Sequence, residues 1–331
     1  MDNPRIVLHI GANKTGTSSI QKMLHDSRDA LLAKGWTYTD HFQLHMAHHK
    51  LAYSILGNPL WGLKYDWQAE LRTVMADPDM RFIFSSELFF RVVSPAKTAQ
   101  FFPPSETQII LYIRDPLSYM MSWYAQAVQG TNTTCSFSDY LHRFSQPLIE
   151  YLRGWEAVYG ADNVSVRLFE RDQLLGRDSR VDFMQFIDGV EPSDMTLDTG
   201  DSNLSISGNL LFFKRMLNNF MTLEESNEVP ITDEFGAYAA LKDSFHGKFH
   251  ATHDDIEIVR HLFDPDLRIF AERGMPFKPM PREVVGHPCP NFDTLDEDFA
   301  FIMDIARQTG KEFLRFTDRM PNLRGAVQEA E

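Results

Sequence analysis

The sequence predicts an α/β protein built on a doubly wound parallel sheet, and three observations predict it. Short apolar runs that read as buried strands alternate with amphipathic stretches at helical spacing. Polar groupings stand at the carboxyl ends of three of those runs, Gly11 to Ser19, Ser85 to Glu87 and Arg114 to Ser122. Beyond about residue 180 the chain turns helical and loop-rich, so a mainly helical elaboration is expected to follow the sheet.

The first strand is the apolar run Ile6 to Leu8, and a turn and a helix follow it. Ile20, Met23, Leu24 and Leu31 recur at helical spacing, with Ser27 on the same stripe. Gly35 to Trp67 then concentrates Trp36, Tyr38, Phe42, Tyr53, Trp61, Tyr65 and Trp67 among His41, His45, His48 and His49. Such rings suit stacking on a sugar or another ring, or else the core of a helix and loop packed over the sheet. Asp66 to Ala76 reads as a helix closed by Asp77-Pro78-Asp79, and Arg81 to Ser86 as a short buried strand that leads into Glu87.

Gln108 to Ile113 is almost continuously apolar, the pattern of a central parallel strand, and it stops at Arg114-Asp115-Pro116. Asp115 can cap the next helix and Pro116 can take its first turn, with Leu117, Met120, Met121, Tyr124 and Val128 on the core face. Leu148 to Tyr159 reads as a helix and Asn163 to Leu168 as a strand. The better segments of the second half are 182–187, 206–220, 256–263 and 299–307, and Leu223 to Phe235 reads as an exposed acidic loop, a candidate flap. One domain over 1–331 is expected, an α/β core over 1–180 and a helical elaboration over 181–331.

Apolar residues make up 43% of the 331 residues and aromatic ones 12%, enough for a large core. The formal charge of -14 argues against nucleic acid as partner, although a small polyanion needs only a local basic pocket. Cys135 and Cys289 are far apart in sequence and lack metal-type spacing, which fits a reducing compartment. With neither an export signal nor a run of about 18 apolar residues, a cytoplasmic protein without a transmembrane segment is expected. The glycosylation patterns at Asn132, Asn163 and Asn203 are accordingly read as chance. Nothing in the sequence fixes the oligomeric state. His45 and His49 have a zinc-compatible helical spacing but no obvious third ligand, so no metal site is expected.

The turn from His9 to Gln21 carries the most chemistry. A strand-turn-helix unit aims successive backbone N–H groups and the positive end of a helix at one spot, which suits phosphate or sulfate. Gly11 and Gly16 have the spacing of a nucleotide-triphosphate loop, yet Thr17 stands where the lysine of that motif belongs and Lys14 lies inside the turn. The sheet is therefore P-loop-like, and the displaced lysine argues for an anion other than a magnesium-bound triphosphate. Arg114, with Ser122 eight residues on in the following helix, offers a guanidinium and a hydroxyl for one further phosphate.

Lys14-Thr15-Gly16-Thr17-Ser18-Ser19 resembles the 5′-phosphosulfate loop of sulfotransferases, and Arg114-Asp115-Pro116 with Ser122-Trp123-Tyr124 resembles their 3′-phosphate motif. By these motifs the chain is similar to the superfamily that uses 3′-phosphoadenosine 5′-phosphosulfate (PAPS), and more closely to its bacterial carbohydrate-type members. The resemblance is specific over about the first 125 residues and thins to short patterns at Val166 to Arg171, Asp182 to Val190 and Asn203 to Ser207. It implies PAPS as donor, 3′-phosphoadenosine 5′-phosphate (PAP) as product, no metal, and a hydroxyl acceptor on a small molecule or glycan, a saccharide above all. Lys14 would contact the oxygen bridging phosphate and sulfate; Thr15, Gly16, Thr17, Ser18 and Ser19 would hold the 5′-phosphate; Arg114 and Ser122 would hold the 3′-phosphate. The tryptophan that follows the loop threonines in cytosolic-type members is missing, so adenine stacking is left unassigned.

In-line transfer also needs a base. Glu87 and His48 compete for that role: Glu87 because it stands just past a strand end, His48 because its ordinary pKa suits proton abstraction. Glu87 is favoured, since its place follows from the sheet. Two other classes remain: a kinase with a degenerate loop, and a non-catalytic binding protein on the same fold.

Overall fold

The computed structural model describes residues 4–91, 93–144, 146–197, 205–222, 224–225 and 231–319. Within them the expected α/β architecture is present: a five-stranded, wholly parallel sheet flanked by helices, P-loop-like in its first strand-turn-helix unit. The strands are β1 (Ile6–His9), β2 (Trp36–Thr37), β3 (Arg81–Ser85), β4 (Thr107–Ile113) and β5 (Val164–Leu168), in the order β2-β3-β1-β4-β5. β1 is central. The chain first moves to one side of it, to β2 and β3, and then crosses to the other, to β4 and β5. The switch point therefore lies between the carboxyl ends of β1 and β4, the place where open α/β sheets bind ligands.

The register is set by alternation. Val7, Ile83, Ile110 and Tyr112 turn to a face covered by α1 (Thr17–Asp26) and by the helix Ser179–Met184, and their cluster includes Ile20, Met23, Leu24, Phe183 and Met184. On the opposite face, Phe84 packs on Phe102, and the helix Leu148–Tyr159 lies against β4 and β5. That helix has no side-chain cap of its own at Pro147; the Asp266 carboxylate accepts instead from the N–H groups of Leu148 and Ile149 at 2.8 and 2.7 Å. The strand ends beside the switch point are tied by Asp182, fully buried, which takes both Arg167 Nη2 and Nε (2.6 and 3.0 Å) and the Tyr112 hydroxyl (2.8 Å). Arg167 and Asp182 belong to the short patterns noted in the second half of the sheet, and their pairing gives those patterns a structural reason.

Some elements differ from the sequence reading. The helix expected through Leu31 breaks at Ser27, and a second helix, α2 (Arg28–Ala33), carries Leu31 into the same core at a new angle. β2 has two residues, too few for a periodic signal. The helix placed at Asp66 to Ala76 spans Trp67–Val74, with the Asp66 carboxylate capping Ala69 N–H at 3.0 Å. The expected acidic loop at Leu223 to Phe235 falls partly outside the described residues, and its end is the helix Ile231–Ala239. The Asn203 glycosylation pattern also lies outside them.

The chain forms two compact units, and it passes between them several times. The first comprises Met1–Asp115, Pro147–Gly200 and Asp264–Lys278, and contains the sheet. The second comprises Pro116–Gln146, Asp201–Phe263 and Pro279–Glu331. It is helical, with Phe213 at the centre of a ring cluster formed with Phe235, Phe299 and Phe313. Its buried Lys214 closes the end of the helix Pro116–Gly130 by donating to the carbonyls of Val128 and Thr131 at 3.1 and 3.2 Å. Among the described residues no helix is long and apolar enough to cross a membrane.

Candidate functional site

The site is built on three adjacent strand ends, those of β3, β1 and β4. After β1, Ile10 and Ala12 still donate to the carbonyls of Ile110 and Tyr112 at 3.0 Å, so the chain leaves the sheet only at Asn13. The Thr15 hydroxyl then returns to the Ala12 carbonyl at 2.6 Å and closes the turn. Lys14 and Gly16 both take the left-handed backbone conformation, with φ of 65° and 75°. Alternating right- and left-handed residues turn consecutive N–H groups to one side. Ser19 and Ile20 N–H groups go to the Gly16 carbonyl, whereas among the described residues no backbone carbonyl takes the N–H groups of Lys14 to Ser18. That is an anion cradle at the start of α1.

The two glycines are required sterically. A Cβ on Gly11 would lie 2.7 Å from the Thr17 methyl and 2.8 Å from His9 Nε2; one on Gly16 would lie 2.7 Å from the Phe169 ring and 2.8 Å from Ser179 Oγ. Thr15 and Thr17 are buried, Ser18 is exposed and Ser19 is half-buried. Thr15 can thus offer only its N–H, since its hydroxyl holds the turn.

Arg114 follows β4 and reaches back over the turn, Nη1 donating to the Lys14 carbonyl at 3.4 Å, with its guanidinium 6.0 Å from the centre of the Phe169 ring. Lys14 and Arg114 are both half-buried. Burial pushes the Lys14 ammonium below its usual range, the Arg114 charge pushes it further down, and Glu87 opposes both. Burial likewise lowers Arg114, against Asp115. Ser122 is half-buried in the second turn of the helix Pro116–Gly130, which belongs to the second unit.

Glu87 follows β3 by two residues, on the other side of β1 from Arg114. Gln21, buried on α1, divides its amide between Ser85 Oγ (3.2 Å) and Glu87 Oε2 (3.1 Å). Ser85 Oγ also meets His9 Nδ1 at 2.8 Å, while the other nitrogen of His9 is buried without a partner. His49, first residue of α3 (His49–Leu56), brings Nε2 to 3.8 Å from the other carboxylate oxygen, Glu87 Oε1, and holds Ser86 Oγ with Nδ1 at 2.8 Å. Burial depresses the His49 imidazole, Glu87 raises it, and His45 lowers it again.

His48 occupies a different environment. It is fully buried, edge-on to Tyr38 and Phe84. Its Nδ1 accepts from the Ser85 N–H at 3.1 Å and its Nε2 donates to the Thr39 carbonyl at 3.0 Å. A backbone N–H can only donate and a carbonyl can only accept, so these two bonds fix one neutral tautomer. Burial lowers its pKa to about 3. With no accessible lone pair, the imidazole that sequence reasoning entered as a candidate base ties β3 to the segment before α3. Among the described residues no three His, Cys, Asp or Glu side chains gather to hold a metal ion, and His49 is engaged with Glu87 and Ser86.

The fold brings Lys14, the turn, Arg114 and Glu87, each expected from the sequence as a site residue, to one edge, and sets Gln21 and His49, which the sequence reading does not assign to that site, against Glu87. Gln21 stands one helical turn after Thr17 on the buried face of α1, a polar residue in an apolar stripe, and that was its available signal. His49 gave none, because its side of the chain is decided by tertiary packing.

No family model and no curated protein matches the chain. Among solved structures it is similar to a sulfotransferase from Alicyclobacillus acidocaldarius, with 17% identity over 81% of this chain and 99% of that one and a TM-score of 0.39. It is similar to a retinol dehydratase, solved with androsterone and the inactive cofactor PAP, with 17% identity over 82% of this chain and 79% of that one and a TM-score of 0.33. A gluconokinase from Sinorhizobium meliloti 1021 matches half of the chain and 83% of its own, at 12% identity and a TM-score of 0.23.

Proposed function

We propose that the protein transfers a sulfuryl group from PAPS to an acceptor hydroxyl. One observation carries this reading: Lys14 and Arg114 stand beside one another, both half-buried, next to a cradle of N–H groups, with Glu87 opposing the Lys14 charge and Asp115 that of Arg114. Two neighbouring cations with part of their hydration removed gain more from a further anion than exposed ones do. A donor with a phosphosulfate at one end and a second phosphate at the other fits such a pair. Lys14 would serve the phosphosulfate, Arg114 the second phosphate, and the N–H groups of Thr15, Gly16, Thr17 and Ser18 with the Ser19 hydroxyl the 5′-phosphate. The part given to Ser122 on the second phosphate rests on its sequence motif.

In this reading PAPS supplies the sulfuryl group. The acceptor oxygen forms the new O–S bond, the bond between sulfur and the bridging oxygen breaks, and its electron pair stays on the phosphate of PAP. Lys14 stabilises the charge that develops on that oxygen. Glu87 takes the proton of the acceptor hydroxyl, while Gln21 holds one oxygen of its carboxylate and His49 faces the other. His48 is assigned no chemical step.

The test is binding of PAP, followed by melting temperature and calorimetry, against ATP with magnesium. PAP is expected to raise the melting temperature and the nucleoside triphosphate to leave it unchanged. The reverse result would replace sulfuryl transfer by phosphoryl transfer.

A further inference from the structure

The aromatic segment between residues 36 and 67 divides into two populations. Trp36, Tyr38 and Phe42 are buried and belong to the core. Trp61 keeps 59% of its surface in water, yet its backbone is fixed. Asn58 Oδ1 accepts from the N–H groups of Leu60 and Trp61 at 2.9 and 3.0 Å, the Asn58 N–H returns to Tyr53, and Leu63 N–H reaches Ser54 Oγ. Gly62 closes the loop so tightly that a Cβ there would meet the Asn58 carbonyl at 2.6 Å. A tryptophan held firmly but left largely uncovered is preorganised for something outside the fold.

Its neighbour joins it to the site. The Trp61 ring lies 6.2 Å from that of Tyr53, inclined by 31°. Tyr53 follows His49 by four residues on α3, so the two share one face, about 6 Å apart along the axis. His49 meets Glu87. Exposure rises along this strip, from 19% for the Glu87 and His49 side chains, through the half-buried Tyr53, to Trp61.

We propose that the strip from Glu87 and His49 to Tyr53 and Trp61 is the acceptor subsite, and that the acceptor is an oligosaccharide of at least two rings. Its reacting hydroxyl meets Glu87 while a further ring lays its C–H face on Trp61. The ligand class follows from the openness of the platform. A saccharide covers an aromatic face with one side and keeps its hydroxyls in water, whereas an apolar ring of the same size needs an enclosed pocket. The requirement for more than one ring follows from length, because a helical turn and a ring-to-ring step separate Trp61 from the base. The proposal rests on the sulfuryl-transfer reading for the role of Glu87, but the platform can be tested without it.

The test is a glycan array that carries mono- to tetrasaccharides of the same repeats, probed with the labelled full-length protein, with calorimetric titration of PAP beside it. Binding is expected from disaccharides upward, weakened about tenfold or more by Trp61→Ala and kept within a few-fold by Trp61→Phe, with PAP affinity the same in all three proteins. Equal binding by Trp61→Ala, equal binding of monosaccharides, or no glycan binding by the wild type would each overturn it. So would 2-naphthol displacing the glycans, since it would make the ligand an apolar ring. If PAP fails to bind while the array pattern holds, the donor reading falls and the platform stands as a glycan site.

Discussion

The turn after β1 and the segment that leads into α3 both end beside Glu87, and they are built on opposite principles. In the turn the backbone makes the site: left-handed residues at Lys14 and Gly16, glycines pressed against Thr17 and Phe169, and a row of N–H groups without backbone acceptors among the described residues. In the α3 segment the side chains make it. Consecutive histidines part there, His48 sealed between Ser85 and Thr39 and His49 turned toward Glu87. A backbone-built site tolerates side-chain exchange except at glycine, whereas a side-chain-built one depends on single residues.

The largest expected effect sharpens this contrast at the carboxylate. Glu87→Gln keeps the shape and the Gln21 contact but cannot take a proton, so turnover of an acceptor identified on the array should fall by about 10² to 10⁴, with PAP affinity nearly unchanged. An equal loss of PAP affinity would make Glu87 a binding residue instead. Next, Lys14→Ala should lower turnover by roughly 10² to 10³ while the N–H cradle still retains PAP. Full turnover in that variant would contradict the role given to Lys14 on the bridging oxygen.

His48→Ala tests the segment. It removes a fully buried ring and leaves the Ser85 N–H without its acceptor, while the Thr39 carbonyl keeps Gln43 Nε2, for a loss of about 3 kcal/mol in denaturant unfolding. Turnover of the fraction that stays folded should be close to wild type. A stable variant with turnover lost would restore His48 as a chemical participant.

The smallest effect is one of pH. His9 and His48 both have folded pKa values of about 3, lowered by burial from the ordinary 6.5. Between these limits the unfolded chain binds more protons than the folded one, so the stability present above 6.5 is lost as pH falls toward 3. The loss should be roughly 2 kcal/mol per imidazole by about pH 5. Replacing His48 by Gln should remove about half of that slope, and an unchanged slope would show that His48 is not the group titrating.

The same contrast explains what could be read from the chain beforehand. The anion turn was legible because strand, glycine spacing and helix lie within some fifteen residues, and Glu87 and Arg114 because each follows an apolar run whose end must lie on the ligand edge. The choice between His48 and His49 was not, since one residue of register decides it and that register comes from packing against Phe84 and Tyr38. The break at Ser27 left the apolar spacing through Leu31 intact, so periodicity could not reveal it. The division of Trp36 from Trp61 depended likewise on a loop closed by Asn58 and Gly62, where the sequence offers only a turn.

The central claim is the proposal that Lys14 and Arg114 serve two separated anionic groups of one donor, and Arg114 is its most direct test. In calorimetric titration the wild type should bind PAP, and Arg114→Ala should weaken PAP by about 10- to 100-fold while leaving adenosine 5′-phosphosulfate, which lacks the 3′-phosphate, almost unaffected. Equal losses for both ligands, or no loss for PAP, would contradict the account.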